Sequence, residues 1–448
     1  MRQSLRQQLP VVQYHLDHEH AKELQTMSDL LDRAPEVVDL VHADLVAGLR
    51  NPAVGRQALS AEQVLRAVII KQMNQFSYLQ LAFHLADSQS YRIFCRLGLG
   101  DDAPSKSALQ RDIKKLQPET LEAINRAVVT LAAQLGIERG RKVRVDCTVV
   151  ESNIHTPTDS LLLWDCVRVL SRLTQQAKEK FGAAVSDHRR RAKRRSLAIM
   201  NAKNAAARRA LYRDLLKVTR KTVEDAERVA SELKSLGISD IITATCLVLQ
   251  LRHYLPFARQ VIDQTERRVL QGESLAPDEK LVSIFEPHTD IIRKDRRDTY
   301  YGHKIALTGG ASGLVTDLVV EEGNPADSTL AVPMVRRHEA IFGQVPRQAS
   351  FDGGFASQHN LETIKVMGVD DVVFAKKRSL EISEMAKSAW VYRQLRNFRA
   401  GVEGTISFLK RCFGLNRCSW QGFASFKAYV WSSVVAANLL VMARHLLA

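Results

Sequence analysis

Paired cysteines are missing from this chain. The six it has form no CxxC, and only Cys412 and Cys418 lie close together, with no histidine following at zinc-ligand spacing. That excludes a zinc ribbon and a disulfide framework, and the six are expected as reduced thiols in a cytoplasmic protein. Acidic residues are also short, 49 Asp and Glu against 64 Lys and Arg, for a net charge of +15. Such an excess calls for a polyanionic partner, either nucleic acid or a membrane surface. Long apolar runs are lacking too. The longest, 428–443, is interrupted by Ser432, Ser433 and Asn438 and is short for a bilayer span, so a buried C-terminal helix is expected. The first twenty residues, MRQSLRQQLPVVQYHLDHEH, hold no apolar signal core, and export is not expected.

What is present is a globular chain of 448 residues, 45% of them hydrophobic, enough for two or three domains. The positive charge is concentrated. Between positions 188 and 221 stand 13 Lys and Arg against one acid, Asp214, so this stretch supplies +12 of the +15. Arg209, Arg213, Lys217 and Lys221 recur every four residues and share one helix face. Like charges at that spacing repel, so either solvent or a bound anion offsets them. The cluster lacks the Trp- and Phe-rich apolar face of a membrane-surface helix, which favours a nucleic acid.

Residues 1–140 read as all helical. Ser60 is placed to cap a helix with Gln63 at its third position, and Val64, Leu65, Val68 and Ile69 form its apolar stripe. A further helix is expected around 78–85, and another, SALQRDIKKL, after Pro104-Ser105. The latter carries Arg111 and Lys114 and is compatible with a helix-turn-helix reader of DNA. A bundle with a solvated basic face would show the same pattern. From 161 to about 273 the chain again reads as helix. Period-two alternation marks strands at 143–149, 302–308 and 314–320, with shorter ones at 348–351 and 371–375. Without the helical segment the order is β-β-β-α-β-α-β-α, that of a ribonuclease-H-like α/β fold. The expected domains are 1–140, then 141–160 joined with 280–448, with 161–279 as a basic helical insertion.

Asp146 lies inside the strand at 143–149, where an aspartate is a poor strand former and costly to bury uncompensated. Asp352 ends the strand at 348–351, and in this element order the two strands are central neighbours. Gly353 and Gly354 then leave room for a sharp turn or a close approach. Glu381, Glu384 and Glu403 are candidates for a third carboxylate. In RNFRAGVEGTISFLKRCFGL, Arg399, Glu403 and Lys410 share one helix face, with Val402, Ile406 and Leu409 on the other to pack on the sheet. An Arg399–Glu403 ion pair is worth only about 0.3–0.5 kcal/mol. Gly401 and Gly404 each weaken a helix by about 1 kcal/mol relative to alanine, which points to close approach of DNA or metal and selects Glu403. Three carboxylates from distant segments suit divalent-metal phosphoryl transfer.

The segments VRVDCTVVESNIHTPTDSLLLWDCVRVL, SFDGGFAS and RAGVEGTISFLKRCFGLNR resemble the bacterial insertion-sequence transposases of the DDE class, in the group with an R-x3-E-x6-K signature. The resemblance implies DNA strand cleavage and strand transfer at the element ends. Asp146, Asp352 and Glu403 would hold two Mg²⁺ or Mn²⁺ ions, and Arg399 and Lys410 would anchor phosphates. The working form would be at least a homodimer on double-stranded DNA, holding the terminal inverted repeats and the target. Many relatives place a tyrosine three residues before the signature arginine. Here that position is Arg396, with Tyr392 and Phe398 as the nearest aromatics. A metal-dependent nuclease of the same fold, or a DNA-binding protein that has lost catalysis, are the competing readings.

If the basic helix face lies along DNA, replacing Arg209, Arg213, Lys217 and Lys221 by glutamine flattens the dependence of log K on log salt. Each phosphate contact contributes about −0.9, so the expected loss is about two to four units. Affinity titrations across salt concentrations read it directly, and an unchanged slope returns the face to solvent.

Overall fold

The computed structural model describes residues 4, 17–51, 54, 58–98, 100–235, 240–294 and 298–448. The N-terminal stretch that bears on export therefore lies almost wholly outside the described residues.

The chain begins with α1 (Glu19–Asp32), α2 (Glu36–Val46), α3 (Ala61–Met73), α4 (Tyr78–Asp87), α5 (Gln89–Phe94), α6 (Lys106–Ile113) and α7 (Pro118–Gln134). After β1 (Lys142–Glu151) come α8 (Asp159–Phe181), α9 (Arg189–Met200), α10 (Ala205–Ser235) and α11 (Ile241–Thr265). The strands β2 (Asp290–Lys294), β3 (Asp298–Gly309) and β4 (Val315–Val320) follow, then α12 (Ala331–Phe342), β5 (Gln348–Phe351), α13 (Gln358–Val366) and β6 (Asp371–Phe374). The chain ends with α14 (Ile382–Met385), α15 (Ala389–Cys412) and α16 (Phe423–Leu447).

Side-chain caps start several of these helices. Ser60 Oγ accepts from Gln63 N at 3.2 Å while Gln63 Oε1 accepts from Ser60 N at 3.0 Å, satisfying two helix-end donors reciprocally. Ser77 and Gln80 repeat the arrangement at α4. α6 is shorter than the expected SALQRDIKKL helix and stops at Ile113. The Lys115 ammonium donates to Leu45 O at 3.0 Å, and Pro118 opens α7 at a position where its missing N–H costs nothing.

Two compact units divide the chain, one of 1–151 with 303–448, the other of 152–302. In the first, β1 pairs in parallel with β5, from Lys142↔Gln348 to Val145↔Phe351, and β5 in parallel with β6. β4 runs antiparallel to β3, and within this unit the hydrogen-bonded order is β3-β1-β5-β6 with β4 also on β3. This is a mixed sheet in a mostly helical α/β chain. One core lies among Val143, Val145, Phe351, Phe374, α12, α13 and the first half of α15. The other joins the N-terminal helices to α16, β3 and β4. Val402 and Leu409 are buried in this second core, with Ile406 packed against it. The first half of α15, through Val391, Tyr392 and Leu395, packs on the sheet beside Phe351 and Phe374.

The second unit begins at Ser152, ahead of the expected insertion boundary, and extends past it to Gly302. It includes β2, which the sequence pattern did not show, paired antiparallel with the start of β3 from Asp290↔Gly302 to Lys294↔Asp298. The charged residues of DIIRK break the period-two alternation there. α8, α10 and α11 share a core of Val167, Leu170, Leu173, Leu215, Val218, Leu247 and Leu251, the stripes their spacing marks. Arg209, Arg213, Lys217 and Lys221 are all exposed.

Among the described residues two helical stretches, Ile241–Leu270 and Phe423–Leu447, have the length and apolar composition to cross a membrane. The second is longer than the 428–443 run alone, so its length decides nothing; 72% of its most apolar window is buried inside the protein. Its central polar residue has a structural task. Asn438 Oδ1 accepts from Val315 N at 2.9 Å, and its Nδ2 donates to Val315 O and to Asn125 Oδ1, both at 2.8 Å. The amide thus closes the outer edge of β4 from within α16. Asn438→Leu leaves both backbone groups of Val315 buried and unpaired, at about 1–3 kcal/mol each. Urea unfolding is expected to show a loss of about 2–6 kcal/mol.

Candidate active site

β1, β5 and α15 build the site. Strand alternation puts Arg144 and Asp146 on one side of β1, and the parallel register of Arg144 with Ser350 brings Asp352 beside Asp146, one residue beyond the last paired position. Two side chains fasten α15 over these strands. Ser350 Oγ donates to Leu395 O at 2.9 Å. Arg144 donates through Nη1 to Phe398 O at 3.2 Å and through Nη2 to Thr405 Oγ1 at 3.3 Å. Its guanidinium also lies over the Phe398 ring, 5.0 Å from the centroid. Burial pulls the Arg144 pKa down from its ordinary value.

With α15 so held, one guanidinium meets three carboxylates. Arg399 Nη2 lies 3.0 Å from Asp146 Oδ2 and 3.0 Å from Asp352 Oδ1, and Nη1 lies 3.1 Å from Glu403 Oε1. The acids grade from buried to open, their side chains 13%, 37% and 67% exposed in that order. Burial pushes the Asp146 carboxyl above its ordinary value, and repulsion from Asp352 adds to this. Attraction to Arg399 and the Cys147 N–H, which donates at 2.8 Å, pulls the other way.

The structure does not bring all the expected residues to one place. Arg399 is turned inward, 15% exposed and committed to carboxylates. Lys410 lines a separate cavity beyond the far end of α15. Glu384 Oε2 accepts from Glu381 N at 3.2 Å, so these two acids serve the start of α14. Tyr392 is buried and donates to Phe374 O at 3.2 Å, and Phe398 is covered by Arg144. Neither presents a ring outward in place of the tyrosine that Arg396 replaces. Arg111 and Lys114 are exposed at the end of α6, and Arg111 pairs with Asp112 at 3.2 Å. Arg209, Arg213, Lys217 and Lys221 have no ion-pair partner among the described residues, whereas Asp214 is taken by Arg191 and Arg195.

The glycines of the site differ in what surrounds them. A Cβ on Gly401 would overlap the Arg144 guanidinium, so this position is kept bare by a neighbour within the protein. Gly404 has nothing within 4 Å and faces open space. A Cβ on Gly353 would lie 2.8 Å from the Lys376 side chain, and one on Gly354 would lie 2.6 Å from Asp327 Oδ2. Asp327 and Lys376 thus flank the loop that carries Asp352, and nothing in their spacing places either of them there. Asp327 accepts from Lys304 Nζ at 2.9 Å. Asn360 Nδ2 ties the segment down by donating to Ser328 O at 2.7 Å and Phe355 O at 2.8 Å.

Two family models match the chain. The first is the transposase DDE domain, over residues 272–439, which contains Asp352, Arg399, Glu403 and Lys410. The second is a transposase domain (DUF772), over residues 19–115, which contains α1 to α6. The chain belongs to the DDE transposases. No curated protein and no solved structure matches it. β1 and Asp146 lie ahead of the matched DDE segment, so their place beside it rests on the parallel pairing of β1 with β5. The transposase is a DNA-acting enzyme whose family cleaves and transfers strands.

The two α15 glycines separate experimentally. Gly401→Ala must displace Arg144 or α15, and a misplacement of about 1 Å at a reacting centre costs about 100-fold; cleavage of a labelled element end is expected to fall by that order while circular dichroism stays native. Gly404→Ala fills open space and removes a helix-weakening glycine, so thermal unfolding should show a gain of up to about 1 kcal/mol.

Proposed function

We propose that Asp146, Asp352 and Glu403 are the catalytic carboxylates of a ribonuclease-H-like transposase that cuts and joins DNA with divalent metal ions. The observation that carries this reading is the single guanidinium of Arg399 shared by acids from β1, β5 and α15. Among the described residues no three Asp, Glu, His or Cys side chains close on one point as a metal site requires; the Arg399 side chain stands among the carboxylates. The donor set itself fits Mg²⁺ or Mn²⁺, being three hard oxygen donors converging on one positive centre with no cysteine or histidine among them. Two such ions, when bound, polarise the attacking water or 3′-hydroxyl and stabilise the departing 3′-oxygen.

The chain's own residues set the geometry. Asp146 is fixed by its strand and by the Cys147 N–H, and Asp352 by a loop braced between Asp327 and Lys376. Glu403, the most exposed, adjusts with α15. Arg399 neutralises the trio in the free protein, and once released from Asp146 and Asp352 it can turn to the DNA phosphates. Lys376, Lys377 and Arg378 follow β6 next to the Asp352 loop and offer further exposed cations. The helical N-terminal domain, with Arg111 and Lys114, and the basic insertion carry sequence and backbone contacts to the terminal inverted repeats. Two element ends meet one target, so the active species is at least a homodimer on DNA. It works in the bacterial cytoplasm, at the nucleoid.

Asp146→Ala, Asp352→Ala and Glu403→Gln are each expected to lower cleavage by about 10³-fold or more while leaving binding to element ends within about threefold of the parent protein. Near-normal cleavage by Glu403→Gln would move the third role to Glu381 or Glu384. Mg²⁺ and Mn²⁺ should support product, EDTA should abolish it, and Ca²⁺ should give a stable complex without product, because its loose coordination does not hold the reacting oxygens in line. Strand-transfer products in a plasmid assay separate this enzyme from a nuclease that only cuts.

A further inference from the structure

Beyond the last turn of α15 lies a cavity of about 330 Å³ lined by residues that include Lys71, Lys410, Arg417 and Tyr429, and, among the described residues, by no Asp or Glu. Lys71 is the anomaly in it. It sits in the last turn of α3, 4% exposed, and has no hydrogen-bonding or carboxylate partner among the described residues. Its ammonium lies against ring faces, 5.0 Å from the Tyr78 centroid and 5.8 Å from that of Trp420, with the Cys418 thiol the other group beside it. A buried ammonium without an anion is costly, and burial pulls Lys71 down to about 8. Gln75, at the rim, adopts a φ of 53° and donates to Arg411 O at 2.6 Å, a left-handed conformation that costs a non-glycine residue energy. A cavity that keeps an unneutralised lysine, gathers two more cations and holds its rim in a strained conformation is prepared for an anion.

We propose that this cavity receives one phosphate of a DNA backbone, with Lys71 as the buried cation and Lys410 and Arg417 completing its walls. Glu403 and Lys410 are seven residues apart on one helix, about 10 Å along its axis, so the seat lies on the track of a strand bound at the carboxylates. The inference rests on the transposase reading and extends it: the matched DDE segment supplies Lys410 and Arg417, and the DUF772 segment supplies Lys71.

The test compares Lys71→Met and Lys71→Arg with the parent protein, full length. With Lys71→Met, urea stability should be unchanged or higher, since an uncompensated buried charge is gone. The slope of log K against log salt for a double-stranded oligonucleotide should fall by about 0.9. Lys71→Arg, which keeps the charge, should retain the slope. Oligonucleotide binding at pH 8 should take up a proton, read by calorimetry in buffers of different ionisation enthalpy, and Lys71→Met should lose that uptake. The other titratable groups facing Lys71 are Tyr78 on α4, Cys418 after α15 and Tyr429 on α16, with Lys410 and Arg417 as the fixed charges. Burial holds both tyrosines well above their ordinary values, and the loss of uptake in Lys71→Met assigns it to the lysine. A Lys71→Met protein that loses stability while its slope stays the same would make Lys71 a structural residue and overturn the proposal. Saturable, Lys71-dependent binding of inorganic phosphate with an unchanged DNA slope would assign the cavity to the free anion and overturn it too. A parent protein that binds no DNA but does bind phosphate in this way would instead break the DNA-acting reading.

Discussion

Three carboxylates cannot share a site without a positive charge between them, and the arrangement of this enzyme follows from that constraint. Asp146, Asp352 and Glu403 arrive from β1, β5 and α15, and the Arg399 guanidinium is the charge they share. Arg399 can reach all three only because α15 lies across the parallel pair β1–β5 at a fixed height. That height is set by Arg144 and Ser350, which bond to the α15 backbone at Phe398 and Leu395. Gly401 belongs to the same mechanics, because a side chain there would push Arg144 away. The acids are therefore placed by neutral and cationic neighbours, and their mutual repulsion is met before any ligand arrives.

The carboxylates were legible in the sequence because each breaks a local rule. Asp146 interrupts a β-branched strand, Asp352 ends one, and Glu403 stands between two glycines in a helix. The adjacency of β1 and β5 was legible from element order alone. The use of Arg399 was not, since a periodic helix face says which residues are neighbours along it and nothing of which way a long side chain turns. Nor could spacing show that Gly353 and Gly354 are bare for Lys376 and Asp327, contacts that close only when the sheet is assembled. β2 escaped because charged residues interrupt its alternation. Lys71 escaped because one lysine at the end of an apolar helix reads as ordinary surface until its burial is known.

Charge in the second unit is sorted as well as concentrated. Asp214 and Glu266 take up Arg191, Arg195 and Arg220, and acids on α10 itself take up Arg228. Pairing of this kind stabilises little at an exposed surface, but it narrows the basic surface to the residues without such partners. Arg209, Arg213, Lys217 and Lys221 belong to that remainder on α10, together with Arg208 and Lys234. A polyanion would meet a defined row of cations there.

The separation of the site's parts along the chain has a further consequence. Asp146 and the arginine that neutralises it are 253 residues apart, with an entire compact unit translated between them. At bacterial elongation rates of about 5–20 residues per second, the strand bearing Asp146 waits about 13–50 s for its partners to leave the ribosome. At the start of that interval the N-terminal helices are already made, the basic insertion is translated within it, and the nascent chain lacks Glu403 and the helix that carries it until its end. Premature termination or proteolysis between the second unit and α15 would thus yield fragments that keep the basic face of α10 but lack Arg399, Glu403 and Lys410.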